Sequence, residues 1–194
     1  MAPNIATARR VELPDLLEFL RPRHHGLLST TRANGRPQLS PVSCGVDEDG
    51  RIVVSTYPDR AKAVNARRDD RVSICVVSDD WNGPYVQVDG HAEVLDMPEA
   101  LDALVDYYRC IAGEHPDWDE YRDAMRHQDK SLIRIHIDSW GPIATGGFPA
   151  RLVPEGDLTT SSLVSPDAAD CSVSVVTWVC TAVGDGFVHS VRPR

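Results

Sequence analysis

The chain has 194 residues, of which 42% are hydrophobic and 25% charged. That composition supports one ordinary globular core and excludes disorder throughout, a collagen-like chain and a coiled-coil rod. The formal net charge of -9 argues against a general nucleic-acid or anionic-membrane binder, which needs a basic field.

In chain order, residues 13–20 place leucines at 13, 16, 17 and 20, which predicts a short amphipathic helix. A β-meander follows. The first strand covers 26–32 and turns at Asn34-Gly35; the second covers 36–47 and turns at Asp49-Gly50; the third returns over 51–57. Pro58 stops that strand, and 59–70 reads as a short helix with Asp59 as its N-cap and Arg67 and Arg68 in its last turn. Residues 71–78 are a nearly continuous apolar run, read as a buried strand. After a loop over 79–84, residues 85–96 alternate as a long strand with a bulge expected at Gly90.

Helices are predicted over 97–113, with Pro98 at the start and Gly113 at the end, and over 115–128. The apolar face of the first comprises Leu101, Leu104, Val105, Tyr108 and Ile111. A last strand over 131–140 alternates Ile133, Ile135 and Ile137 against Arg134, His136 and Asp138. About six strands, short antiparallel links and helices in two connections predict an α+β fold, a six-stranded antiparallel barrel with flanking helices. Residues 1–150 form this domain. From about residue 151 the chain turns linker-like, and 172–183 is β-prone and apolar, so 151–194 is expected to be an extension, partly disordered.

No apolar stretch approaches the roughly 20 residues that span a bilayer, and the first ten residues lack the apolar segment of a secretory signal. A cytoplasmic protein with no membrane or nucleic-acid partner is expected. Cys44, Cys75, Cys110, Cys171 and Cys180 have no CxxC spacing and read as reduced, mostly buried thiols. The seven histidines have no metal-ligand spacing, so no metal is expected.

Of the 20 basic side chains only Lys62 and Lys130 are lysines. Lys62 falls with Arg60 at the start of the short helix, straight after Ser55-Thr56. Free backbone N–H groups at a helix start, two cations and a hydroxyl pair make a phosphate site. Lys130 reads as an ordinary surface lysine. No Ser-His-Asp arrangement stands out: Ser29, Ser40 and Ser43 lie on strands without a glycine elbow.

The run over 36–76, RPQLSPVSCGVDEDGRIVVSTYPDRAKAVNARRDDRVSICV, resembles the split β-barrel flavin-binding family related to pyridoxamine 5'-phosphate oxidase. Within that family it resembles most the branch that uses the deazaflavin coenzyme F420, and the segment IAGEHPDWDEYRDAM over 111–125 is similar to that branch too. The resemblance spans about 13–149. It implies a homodimer with the cofactor in the crease between subunits, and an oxidoreductase that passes a hydride between reduced F420 and a conjugated organic acceptor. It implies that Gln38, Leu39, Ser40, Pro41 and Val42 run along the cofactor ring through backbone groups. Ser55, Thr56, Arg60 and Lys62 would hold the phosphate, with Asn65 as a helper and Trp81 reaching the partner's cofactor. The alternatives are an FMN-binding flavin reductase or oxidase of the same fold, or a non-catalytic cofactor-binding protein. Arg134-Ile135-His136 matches the letters of the substrate motif of vitamin B6 oxidases, but strand alternation explains it and the motif's context is missing.

Overall fold

The computed structural model describes residues 4–152, and the expected segment over 172–183 lies outside them. The strands are β1 (Ala8–Arg9), β2 (His25–Thr31), β3 (Pro37–Ser43), β4 (Gly45–Val46), β5 (Ile52–Thr56), β6 (Arg71–Val77), β7 (Tyr85–Leu95), β8 (Ser131–Trp140) and β9 (Ile143–Ala144). The helices are α1 (Leu13–Leu20), α2 (Ala61–Arg68), α3 (Ala100–Ala112) and α4 (Trp118–His127), followed by a 3-10 turn at Ala150–Leu152. The main sheet runs in the order β3-β2-β6-β7-β8-β5-β4, with every named strand pair antiparallel.

The two ends of that order are consecutive in the chain. Only Cys44 separates β3, which pairs with β2, from β4, which pairs with β5. One bent strand therefore supplies both edges of the sheet and curls it into a six-stranded split barrel. Cys44 is 2% exposed and its N–H donates to the carbonyl of His24 at 3.0 Å, which fixes the corner. The single strand expected over 36–47 is broken there. At Gly45 a Cβ would lie 2.8 Å from Cys110 Cβ, so the second half of the bent strand runs under α3 at a distance only glycine allows. The clasp of β1 with β9 was not predicted; two residues a side give no periodicity to read.

Inside the barrel, alternate residues such as Leu28, Ile74, Val86, Val88 and Ile135 pack together, with Leu16 and Leu20 of α1 in the same cluster. A second cluster, including Val53, Leu104, Val105, Tyr107, Tyr121 and Leu132, lies beneath α3 and α4. Hence Ser131, Leu132 and Ile133 are all fully buried, and the inside-outside alternation of β8 shows only beyond them. Tyr107 and Ala100 are buried on α3, whereas Leu101, Tyr108 and Ile111 are half-buried.

The bulge expected at Gly90 is present: the register shifts between Asp89 and Gly90, leaving Asp138 as the extra residue of β8. A Cβ at Gly90 would lie 2.0 Å from the carbonyl oxygen of His136, which makes glycine obligatory there. Asp138 is thereby set 2.5 Å from His91 Nδ1. α3 begins at Ala100, three residues later than predicted, because 97–99 form a turn. It ends as expected at Gly113, whose φ of 80° favours glycine. α4 is capped by Asp117, whose carboxylate accepts from the N–H groups of Asp119 and Glu120, each at 3.0 Å.

Among the described residues no helix is long and apolar enough to cross a membrane, and no cluster of histidine, cysteine and carboxylate side chains could hold a metal ion.

Candidate functional site: a basic helix start beside a free sheet edge

α2 is shorter than the helix predicted over 59–70. Asp59 is not its N-cap: Arg60 holds that place with an extended backbone (φ -67°, ψ 141°), and no side chain caps the helix. The N–H groups of Ala61 and Lys62 find no partner among the described residues, while those of Ala63 and Val64 bond to the carbonyl of Arg60 at 2.9 and 3.0 Å. Two N–H donors and the positive end of the helix dipole are thus left open between Arg60 and Lys62. At the other end, Asp69 returns to extended backbone and ends the helix.

The two hydroxyl side chains point to opposite faces of β5. Neighbours on a strand point to opposite faces, so Ser55 shares the face of Val53, toward α3, and Thr56 the face of Val54, in the barrel core. Thr56 is 3% exposed and its Oγ1 has no hydrogen-bond partner among the described residues. A buried hydroxyl without a partner costs about 1–3 kcal/mol, and few native groups are left so.

The charges are as unbalanced as the hydroxyl. Arg67 bonds to Asp96 at 2.5 Å and to the Pro58 carbonyl at 2.7 Å, Arg68 donates to the Thr31 carbonyl, and Arg71 grips Asp69 at 2.9 Å. Arg60 and Lys62 have no carboxylate partner among the described residues, in a chain with 29 acidic and 20 basic side chains. Burial first, then the charges of Arg60 and Lys130, push the Lys62 ammonium below the ordinary lysine range. Sequence reasoning missed Lys130 and Tyr57: the Lys130 Nζ stands 3.9 Å over the Tyr57 ring, and the Arg60 guanidinium lies 5.8 Å from it.

The other predicted residues are distributed around this cluster. Gln38, Leu39, Ser40, Pro41 and Val42 form most of β3, which pairs only with β2, so its outer edge offers free backbone donors and acceptors. Gln38 accepts from Arg32 Nε and donates to the Leu39 carbonyl, both at 3.0 Å, while Val42 leans on the core and Leu39 is 60% exposed. Asn65 is buried with both ends of its amide engaged, donating to Thr30 Oγ1 at 3.1 Å and accepting from Arg68 at 3.2 Å, so it braces α2 onto β2. Trp81 stands 88% exposed in the loop before β7. Arg134 is ion-paired with Glu93 at 3.1 Å, and His136 Nε2 lies 3.9 Å from the same carboxylate.

Among the clefts elsewhere are one of about 200 Å³ beside Asp47 and Cys110, and a groove of about 500 Å³ beside Ser73 and His91. Neither includes a residue of β3 or of the start of α2.

Residues 13–144 match the model of the Pyridoxamine 5'-phosphate oxidase family. The chain belongs to that family. Its fold binds flavin or deazaflavin cofactors, and it is an oxidoreductase family. Among solved structures, a conserved hypothetical protein from Mycobacterium tuberculosis is 28% identical, with a TM-score of 0.59 over 71% of this chain and 89% of that one. A protein from Bacteroides thetaiotaomicron, described as a candidate 5-nitroimidazole antibiotic resistance protein, is 16% identical with a TM-score of 0.59 over 75% of this chain and 92% of that one. At that identity the likeness bears on the fold alone. A chain named F420 reductase is 20% identical over 63% of this chain and 94% of that one, and its TM-score of 0.49 is too low to argue from.

Proposed function

We propose that the chain binds the deazaflavin F420 and transfers a hydride between the reduced cofactor and a conjugated organic acceptor. The observation that carries this reading is the start of α2: open N–H groups beside Arg60 and Lys62, neither with a counterion among the described residues, suited to a phosphate. The choice of F420 over FMN rests on the resemblance over 36–76 and 111–125.

In this reading Arg60 and Lys62 hold the phosphate, with Ser55 and Thr56 contributing through backbone groups at the end of β5. The free edge of β3, from Gln38 through Leu39, Ser40 and Pro41 to Val42, aligns the ring by main-chain hydrogen bonds. Asn65 keeps α2 in place. When bound, the deazaflavin supplies the hydride. The chain's own task is to position and to exclude water.

Exclusion of water calls for a second wall. On the outer sheet face Leu27, Leu39 and Tyr85 are 38%, 60% and 42% exposed, and the strand registers align Leu27 with Pro41 and Cys75. A second copy of the chain seated on this apolar face would complete the crease and bring its Trp81 to the cofactor. The free thiols Cys44, Cys75 and Cys110 suit a reducing, cytoplasmic setting.

The test mixes the protein with reduced F420 and a set of enones and quinones and follows cofactor oxidation by absorbance. Acceptor-dependent oxidation supports the proposal; tight binding without oxidation by any acceptor leaves a cofactor carrier instead. Light scattering on the wild type and on Leu39→Asp checks the dimer, which the substitution should dissociate. A wild-type monomer would remove the crease from the account.

A further inference from the structure

Three features set Lys130 apart from an ordinary surface lysine. The first is its fixed position. The register Thr56↔Ser131 places Tyr57 and Lys130 at adjoining ends of β5 and β8. The turn carrying Lys130 is tied down: its N–H donates to the Met125 carbonyl at 3.2 Å, and the preceding Asp129 adopts a left-handed φ of 48°. The second is its support. The Tyr57 ring lies beneath the ammonium at 3.9 Å, and the Tyr57 hydroxyl donates to Gln128 of the same turn at 3.3 Å. The third is its company. The Arg60 guanidinium lies 5.8 Å from the same Tyr57 ring, and none of Arg60, Lys62 and Lys130 has a carboxylate partner among the described residues, although Asp59 and Asp129 adjoin them in sequence.

Like charges gathered without counterions destabilise a fold. Nearby, Arg67 and Arg71 are each paired with a carboxylate, Asp96 and Asp69. Two cations and a helix start already match a singly charged phosphate, so a third, posted on an aromatic ring, points to more negative charge than one phosphodiester carries.

We propose that Lys130, held by Tyr57, is the third cation of this anion site and that the site is built for an anion of two or more negative charges. This rests on the phosphate reading of Arg60 and Lys62. The second charge could reside on a phosphomonoester dianion or on an acidic group beside a phosphodiester; the chemistry Lys130 recognises is the same.

The experiment is calorimetric titration of the full chain with pyrophosphate, orthophosphate and dimethyl phosphate, a monoanion, for the wild type, Lys130→Met, Lys130→Arg and Lys62→Met. The wild type should prefer pyrophosphate and orthophosphate to dimethyl phosphate. Lys130→Met should weaken both by about tenfold, the worth of one charged hydrogen bond, with dimethyl phosphate nearly unaffected. Lys130→Arg should restore most of the loss, which a folding defect would not permit. If Lys62→Met weakens all three anions while Lys130→Met weakens none, Lys130 has no part in the site and the inference fails alone. Equal weakening of the monoanion and the multiply charged probes would refute the claim about charge number. If neither variant alters any titration, the phosphate reading itself fails. Repeating the comparison with FMN, a phosphomonoester, and with F420, a phosphodiester, identifies the source of the second charge by which ligand loses affinity.

Discussion

Replacing Lys62 by methionine separates binding from stability, because the described structure gives this ammonium no partner within the fold. Its ionisation is pushed down chiefly by burial, then by Arg60 and Lys130. The charged form is therefore less favourable in the folded chain than in the unfolded one. At neutral pH that cost is present in full, and it fades only as the pH rises toward the ordinary lysine range. Methionine keeps the stem and removes the cost. Screened interactions between partly exposed charges amount to at most about 1 kcal/mol, which for a chain of this length corresponds to about 2–4 °C in Tm. Binding should move the other way. A charge-assisted hydrogen bond is worth about 1.5–3 kcal/mol, and solvent at this half-exposed position argues for the lower half of that range, or about 12- to 45-fold in affinity. Differential scanning calorimetry of the apo protein and fluorescence titration with F420 and FMN measure the two effects. The reasoning predicts a Tm unchanged or raised, with weaker binding. Unchanged affinity would refute the phosphate site, and a Tm lowered by several degrees would show that the fold depends on this charge.

Thr56→Val removes a buried hydroxyl that has no partner among the described residues, so apo stability should rise by about 1 kcal/mol with cofactor affinity unchanged; chemical denaturation and titration read the pair. Gly90→Ala places a methyl 2.0 Å from the His136 carbonyl oxygen, and the forced backbone shift should cost about 1–3 kcal/mol, measured by urea denaturation. Burial pushes the Cys44 thiol up to about 12, so it should resist alkylation at mild alkaline pH until the chain unfolds. Because its folded pKa lies above the unfolded value, its contribution to stability is complete below about pH 9 and declines from there toward pH 12. We propose that residues up to about 150 form the cofactor-binding domain by themselves; a chain ending at Leu152 should unfold cooperatively and bind cofactor as the full chain does, and a non-cooperative melt would contradict this.

The β-meander was legible because its turns are written in Asn34-Gly35 and Asp49-Gly50 and its faces alternate, and β8 was legible to the residue. The closure of the barrel was not. It depends on Cys44 bending one strand between two partners, and nothing local distinguishes that bend from continued strand. The phosphate cluster was half visible. Arg60 and Lys62 could be placed from the helix start, whereas the adjacent hydroxyls of Ser55 and Thr56 looked like a pair although strand alternation turns them to opposite faces. Asp59 looked like a cap because of its residue type, while the chain enters the helix one residue later through Arg60. Lys130 lay beyond sequence reasoning, since only the pairing of β5 with β8 brings it to Tyr57.

The most direct test of the account is a paired titration of the apo protein with F420 and with FMN, followed by tryptophan fluorescence. The account predicts F420 binding in the micromolar range or tighter and distinctly weaker binding of FMN. Preference for FMN would make the protein a flavin enzyme, and binding of neither would contradict the cofactor site altogether.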